Sequence, residues 1–367
     1  MFENLERKIN NLIEKNLYPG MVVKIDQDGK EIFHKAFGFN DIKKKIKMEK
    51  DTIFPIYSTT KLITVVGAFL LIQEGNLNID ESVSKFYPKF NNDITIRNLM
   101  NMTSGVTYNW NAEENKSAII SIEKLIEEDS LTIHEIIDKL SDIPTKIIPG
   151  SEWVYGMNTD ILGGIIEKVS NLKLSDYLRE KIFTPLKMFD TDFKINDLKR
   201  KAIKHNLFVN NEENILIPSY DFHWLMPEKL DEVPNCCLGG SGVFSTAKDY
   251  NKFLNFLLDG KIDGKVVLEK KYLNEITSNQ ISHLKDAKVW DFNSDYSYGY
   301  SVRVRTKNEL YPLTEIGEWG WDGILGNSTL VDPLRKLTMT LMVSVFPANN
   351  ILIQTEIFEA LYKDFSL

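Results

Sequence analysis

A continuous apolar run follows the start of the stretch FPIYSTTKLITVVGAFLLIQEG, which extends from Phe54 to Gly75. From Leu62 to Ile72 nearly every residue is apolar, so a helix here would be hydrophobic on all its faces, which is typical of a helix buried in a core. The run is shorter than the roughly 20 residues that a membrane-spanning helix needs. We therefore predict a buried helix that ends at Gly75, because glycine favours the conformation that often follows a helix.

The other hydrophobic patterns predict strands near the two ends of the chain. Alternating positions on either side of the Asp28-Gly29 turn pair predict a hairpin of two strands, Met21–Asp26 and Glu31–Phe39. Helical spacing dominates from Asn76 to about Pro218. The C-terminal third has three further strand patterns and an amphipathic closing helix, at 298–305, 325–331, 336–345 and 350–365.

This order of elements predicts an α+β fold with one sheet assembled from both termini and a mainly helical insertion. We expect a single catalytic domain over residues 1–367. Within it we predict an α/β subdomain formed by 1–75 and 235–367, and a mainly helical subdomain formed by 76–234.

Composition excludes several kinds of partner. The chain is 43% hydrophobic and 26% charged, as in ordinary globular proteins, and its net charge of −8 gives no basic field for nucleic acid. The first 20 residues predict a charged amphipathic helix without the apolar segment of a signal peptide, so we expect a cytoplasmic protein with no membrane span. The two cysteines, Cys236 and Cys237, are adjacent, which does not favour a structural disulfide.

The histidines show no zinc-binding spacing, and each is better interpreted as a surface or packing residue. They are His34, His134, His205, His223 and His283. We expect no metal and no organic cofactor.

Candidate chemistry lies at the head of the buried helix, where Ser58 and Lys61 form an S-x-x-K pair. Residues three apart share one helix face, so the hydroxyl and the amine lie within reach of each other. An amine surrounded by apolar residues resists protonation and can accept the proton of the serine, which becomes a nucleophile for acyl transfer. The alternative interpretation is an N-cap serine followed by a solvated lysine, because this short motif occurs often by chance.

Several separated stretches give this motif a context. In chain order they are YPGMVV, GKEIFHKAFGFND, DTIFPIYSTTK, LNIDESVSKFYP, ITIRNLMNMTSG, PGSEWVYG, IFTPLKMFDTDF, GGSGVFSTAKDY and GEWGWDG. In this order they resemble the class C β-lactamase superfamily of serine hydrolases, and the resemblance covers nearly the whole chain. It implies the β-lactamase/transpeptidase-like fold, in which helices flank an antiparallel sheet.

The resemblance also implies roles for individual residues. Ser58 matches the acylated nucleophile and Lys61 its motif partner. Tyr155, in PGSEWVY, matches the tyrosine that relays a proton to the leaving group, which requires a nearby cation to lower its pKa. In the third motif, Gly323 lets a strand approach the substrate, and the N–H of Ile324 joins that of Ser58 in an oxyanion hole.

Two positions depart from the penicillin-binding pattern, and a third departs from the esterase branch described below. The usual Tyr-x-Asn is Tyr155-Gly156-Met157, so Met157 replaces the amide that contacts a lactam side chain. The usual K-T-G or H-x-G begins here with Trp321, which replaces the cation that binds a substrate carboxylate. Both changes resemble the family VIII carboxylesterases, which have Y-S-V and W-G-G at these positions. Asp322 is an acid where that branch has glycine.

These features predict a serine esterase that cleaves small neutral esters through an acyl-enzyme on Ser58. We expect Met157, Trp321, Asp322 and Gly323 to contact a small-molecule ester or amide substrate. One alternative is a β-lactamase or D,D-peptidase related to penicillin-binding proteins. Another is a catalytically silent binding protein of the same fold.

Overall fold

The computed structural model describes residues 1–112, 114–145, 147–211, 213–222, 224–284, 289, 295–309 and 314–365. Numbered in chain order, its strands are β1 (Gly20–Gln27), β2 (Lys30–Asp41), β3 (Ile46–Lys47), β4 (Phe54–Pro55), β5 (Lys204–Asn210), β6 (Glu213–Ser219), β7 (Phe244–Ser245), β8 (Lys261–Ile262), β9 (Lys265–Val266), β10 (Tyr296–Tyr298), β11 (Arg303–Arg305), β12 (Trp319–Gly320), β13 (Ser328–Asp332), β14 (Leu337–Met342) and β15 (Val345–Phe346).

The α-helices are α1 (Glu3–Glu14), α2 (Thr60–Gln73), α3 (Ile96–Met100), α4 (Lys116–Glu127), α5 (Ile133–Ser141), α6 (Asn158–Ser170), α7 (Leu174–Leu178), α8 (Ala247–Asp259), α9 (Lys270–Ile276), α10 (Asn350–Leu352) and α11 (Glu359–Phe365). A π-helical segment, Ile353–Phe358, joins α10 to α11 into the predicted closing helix.

Eight of the described strands form one antiparallel sheet in the order β10-β11-β12-β13-β14-β1-β2-β3. Strand β1 pairs with β14 from the other end of the chain, with Val22 opposite Met342. The turn between β1 and β2 is formed by Asp28 and Gly29, with φ angles of 51° and 71°, the positive values that the tight turn requires. These pairings confirm the predicted α+β fold, with a sheet assembled from both termini.

Two predicted strands are interrupted. The segment 298–305 forms β10 and β11, which pair with each other so that Tyr298 lies opposite Arg303. Ser301 between them has φ of 60°, and a left-handed residue reverses the chain, so one continuous strand is impossible. Likewise β14 ends at Met342, and β15 pairs in parallel with β5 instead of extending the main sheet.

Helices cover both faces of the sheet. Leu5, Ile9 and Leu12 of α1 join the closing helix in one apolar cluster against one face. Helix α8 lies on the other side against β1 and β14. There Asn251 donates to Thr338 Oγ1 at 3.1 Å, which satisfies polar groups between helix and sheet.

The apolar run forms α2, and every residue from Thr60 to Leu71 is buried. Helix α6 packs against it, and the hydroxyl of Tyr177 donates to the carbonyl of Gly67 at 2.9 Å. A Cβ at Gly67 would lie 2.9 Å from Leu178 Cδ2, so a larger residue here would force the Leu178 side chain to move. The prediction of a buried helix is confirmed. Within the described ranges, every helix is too short or too polar to cross a membrane.

The β5–β6 hairpin adds strands to the segment 76–234, which the sequence predicts to be mainly helical. Its cross-strand pairs include Leu207 opposite Leu216, and β15 extends it through Val345 beside His205. This small sheet stands next to the cavity described below, because Leu207 and Val209 belong to that cavity's wall. The division into two subdomains stays a prediction.

Candidate active site

Ser58 lies in a single 3₁₀ turn, Tyr57–Thr59, that leads into α2. Tyr57 has φ of 44°, a left-handed conformation that costs a non-glycine residue roughly 1–3 kcal/mol. Its ring is buried and stacks on Trp224 with centroids 6.3 Å apart, so tertiary packing holds the turn. Ser58 itself is half-buried and lines a cavity of about 580 Å³.

Lys61 stands one turn further on and is completely buried. Its Nζ atom donates to Ser58 Oγ at 3.4 Å, to the hydroxyl of Tyr108 at 3.0 Å and to the carbonyl of Gly240 at 2.7 Å. Burial lowers the pKa of the Lys61 amine to about 8, against the opposing effect of the Asp160 carboxylate. A substantial fraction of this amine is therefore neutral near physiological pH and able to accept a proton from Ser58.

Tyr108 is a second tyrosine at the amine, and sequence reasoning missed it. It lies in the loop after the TSG stretch, is buried, and its ring lies 5.7 Å from that of Tyr155. Burial raises the pKa of its phenol, which stays neutral and accepts the Lys61 hydrogen bond. No spacing rule connects positions 61 and 108, so only the fold brings them together.

Tyr155 lies where the resemblance predicts it, beside Ser58. Its hydroxyl shares a hydrogen bond with Ser58 and accepts one from Trp321 Nε1 at 3.1 Å. The Lys61 Nζ atom is 5.0 Å from the centroid of the Tyr155 ring. Burial raises the pKa of Tyr155, because desolvation outweighs the effect of these two hydrogen bonds. The expectation of a lowered tyrosine pKa is therefore wrong for the protein without substrate. A neutral phenol is equipped to donate a proton.

Asp160 is a further buried group that sequence reasoning did not single out. Its Oδ1 atom accepts from the amide of Gly240 at 2.8 Å, and the carbonyl of the same residue accepts from Lys61. Burial raises the pKa of Asp160 to about 6. Asp160 therefore fixes the backbone that holds the amine, and its negative charge raises the pKa of that amine.

The predicted oxyanion-hole groups border the same cavity, which Ser58, Gly323 and Ile324 all line. Over the part of the chain that the structure describes, neither the Ser58 amide nor the Ile324 amide donates to another residue. Gly323 lies in the segment between β12 and β13, not in a strand as predicted. Its amide donates to Asn327 O at 2.7 Å, and a Cβ there would lie 2.8 Å from Ile56 O, so this segment is held close to the turn that carries Ser58. Two free N–H groups beside a serine can bind an oxyanion.

The residues predicted to contact substrate do not all lie at the cavity. Trp321 and Asp322 line the cavity, whereas Met157 is fully buried in the core and absent from the cavity lining. Gly156 explains this placement, since a Cβ there would lie 2.2 Å from Val106 O, and the chain packs tightly and turns into α6. The expectation that Met157 contacts substrate is not supported by this geometry.

The Asp322 carboxylate is paired with a buried cation. Its Oδ2 atom accepts from Arg303 Nη1 at 2.9 Å and from Gln354 Nε2 at 2.7 Å, and its Oδ1 atom accepts from Ser328 Oγ. Both carboxylate oxygens are therefore occupied by protein donors.

No group of three or more histidine, cysteine, aspartate or glutamate side chains that could hold a metal occurs among the described residues. His223, one of the histidines considered from the sequence, lies outside those residues.

Comparison with known proteins identifies the family. The model of the family described as beta-lactamase matches residues 5–362, so the chain belongs to the beta-lactamase family. The members of this family are serine hydrolases and acyltransferases. This result confirms the resemblance found in the sequence.

Individual relatives are distant. Protein Rv1367c from Mycobacterium tuberculosis is 25% identical over 373 residues, which cover 93% of this chain and 90% of the relative. The structure of EstCE1, described as a hydrolase with promiscuous acyltransferase activity, matches with a TM-score of 0.84 and 21% identity over 98% of both chains. The octameric penicillin-binding protein homologue from Pyrococcus abyssi matches with a TM-score of 0.75 and 21% identity over 98% of this chain and 77% of its own. Structural matches at this identity establish the fold alone.

The contacts of Lys61 and Tyr155 with Ser58 predict that these residues act as one proton-transfer unit. Lys61→Met and Tyr155→Phe should each slow acylation by several orders of magnitude, and the double variant should be little slower than either single variant. Single-turnover acylation rates of the four proteins in a double-mutant cycle test this expectation. Fully additive losses would show that the two side chains act independently.

The lowered pKa of Lys61 predicts a pH dependence. Because the amine must be neutral to accept a proton, kcat/KM should rise with pH and level off above about 8. Asp160→Asn removes a negative charge that raises the pKa of Lys61, so the midpoint of the rise in kcat/KM should move to lower pH by roughly one unit. Profiles of both proteins on one neutral ester measure the shift. An unchanged midpoint in the variant, with its fold verified by circular dichroism, would exclude Lys61 as the titrating group.

Proposed function

We propose that the protein is a serine esterase that cleaves small neutral esters through an acyl-enzyme on Ser58. The observation that carries this proposal is the charge of the cavity. Its described lining contains no lysine, arginine or histidine, and its single acid, Asp322, is paired with Arg303. A substrate carboxylate would lack a cation in this partly dry cleft, whereas a neutral ester incurs no such cost.

The proposed reaction begins when Ser58 Oγ attacks the ester carbonyl and its proton passes to the neutral Lys61 amine. The carbonyl oxygen becomes an oxyanion that the amides of Ser58 and Ile324 stabilise. When the carbon–oxygen bond to the alcohol breaks, Tyr155 donates its phenolic proton to the leaving oxygen and recovers a proton from Lys61. Water then attacks the acyl-enzyme in the reverse sequence and releases the acid.

The apolar cavity supports a second candidate activity, acyl transfer to an alcohol. Its walls include Trp110, Trp224, Trp321, Leu207 and Ile351. Apolar walls favour an alcohol over water as the acceptor that reaches the acyl-enzyme. EstCE1 combines both activities in its description.

Two rivals have less support. A β-lactamase or D,D-peptidase needs a group that binds the carboxylate of its substrate, and Trp321 offers none because its one N–H donates to Tyr155. A catalytically silent binding protein would have no need for a buried amine in contact with a serine. Turnover of a chromogenic cephalosporin would favour the first rival.

Removing the nucleophile tests the core of the proposal. Ser58→Ala should abolish the hydrolysis of nitrophenyl esters, a loss of several orders of magnitude, because no other group can form the acyl-enzyme. A fluorophosphonate probe should label the unmodified protein at Ser58 and leave the variant unlabelled, as peptide mass spectrometry would show. If the variant keeps more than a few per cent of the activity, Ser58 is not the nucleophile.

Substituting Trp321 tests the substrate class. The unmodified protein should prefer an ester whose alcohol part carries a methyl-capped acid to the matched ester whose alcohol part carries the free acid, by roughly 10²-fold in kcat/KM, because the cavity around Ser58 has no cation for that acid. Trp321→Lys should reduce this ratio by increasing kcat/KM for the acidic ester. The new ammonium should remain free to bind the substrate, since both oxygens of Asp322 already accept from protein donors.

Trp321→Met is the matched control, because methionine resembles lysine in length and shape but carries no charge. It should leave the ratio near that of the unmodified protein. Equal kcat/KM values for the capped and acidic substrates in the unmodified protein would contradict the esterase proposal and favour the peptidase.

A further inference from the structure

A second cavity, of about 320 Å³, adjoins the cavity that contains Ser58. The two share three wall residues, Trp110, Trp224 and Ile324. Aromatic rings, including those of Phe222 and Phe346, form much of the remaining wall. This volume lies within the range of small-ligand pockets and is large enough for a short acyl chain.

The second cavity borders the residues that would hold the reacting carbonyl. Tyr57, directly before Ser58, lines it, and so does Ile324, whose amide belongs to the proposed oxyanion hole. An acyl group bound to Ser58 with its oxygen at that amide therefore lies at the junction of the two cavities. Its chain can extend into the second cavity while the alcohol occupies the first.

Lys204 of β5 is the one charged residue in the described lining of this second cavity. The residue is only 8% exposed, and its Nζ atom donates to the carbonyl of Phe222 at 3.2 Å. That is its single hydrogen bond within the described chain, although an ammonium has three donors. Burial lowers the pKa of the amine, and only the charge of Asp221 opposes this effect. A cation among apolar walls is stabilised by an anion that enters the cavity.

We propose that the second cavity binds the acyl part of the substrate and that Lys204 binds a carboxylate at the far end of the acyl chain. The preferred substrates are then monoesters of short dicarboxylic acids. This inference rests on the proposed esterase function, and it restricts the requirement for a neutral substrate to the alcohol part of the ester. The two cavities thus treat charge oppositely: an acid is disfavoured beside Trp321 and favoured beside Lys204.

Matched substrates test this proposal. Nitrophenyl monoesters of adipic, pimelic and suberic acid are compared with nitrophenyl esters of the same length that end in a neutral primary amide. The unmodified protein should prefer the acid to the amide by roughly tenfold or more in kcat/KM at the best chain length. Lys204→Met should remove this preference, and Lys204→Arg should retain part of it.

Lys201→Met is the matched control. Its amine also lies near Asp221 and donates to Tyr220 O at 2.9 Å, but it lines neither of the two cavities. This variant should keep the acid preference. Lys204→Glu supplies a charge reversal that should favour acyl chains ending in a trimethylammonium group, which gives a gain that a misfolded protein cannot produce.

The outcomes separate the two proposals. If Ser58 is labelled by fluorophosphonate and the amide-ended esters are cleaved, but acids show no advantage or Lys204→Met leaves the advantage unchanged, the assignment of Lys204 is overturned and the esterase stands. If Ser58 is not labelled and no ester is cleaved, the esterase proposal itself fails, and the assignment of Lys204 fails with it.

Discussion

The burial of one amine is the constraint on which the rest of the site depends. Lys61 lies on a helix that is buried from Thr60 to Leu71, so its charged form has no access to bulk water. Desolvation lowers its pKa, and the hydroxyl of Tyr108 and the carbonyl of Gly240 satisfy its donors. A lysine in water could make the same contact with Ser58 but would be almost wholly protonated at neutral pH. The depth of the apolar helix in the core is therefore what makes the amine a usable base.

This constraint also explains the glycine cluster before α8. A Cβ at Gly240 would lie 2.6 Å from Asp160 Oδ2, and one at Gly239 would lie 2.5 Å from Thr159 O. Glycine is required here because the backbone must pass between the carboxylate and the amine and offer an N–H to one and a carbonyl to the other. The hydrogen bonds join α2, α6 and the segment before β7, so the base is held by parts of the chain that are far apart in sequence.

The sequence predicted what local patterns encode. The spacing of Ser58 and Lys61, the buried helix and the turn at Asp28-Gly29 all follow from neighbouring residues, and the order of motifs placed Tyr155 beside the serine. Tyr108 and Asp160 were not predicted from the sequence, because tertiary packing determines which groups surround a buried amine. The raised pKa of Tyr155 was not predicted for a related reason, since desolvation is a property of the folded state. Met157 was misjudged because a motif position does not show which way the chain turns after Gly156.

The cavity around Ser58 is electrically neutral because a nearby cation, Arg303, is paired with an acid, Asp322. Arg303 is almost inaccessible, with 5% of its side chain exposed, and it donates to Asp322 and to the carbonyl of Thr329. Without the acid at position 322, this guanidinium would lose its hydrogen-bonded carboxylate beside the segment that carries Gly323, and it would attract carboxylates toward the cavity. Asp322 cancels that attraction, while Gln354 ties the same carboxylate to the closing helix. Trp321 and Asp322 thus act together: the indole covers the cavity wall, and the carboxylate neutralises the arginine behind it.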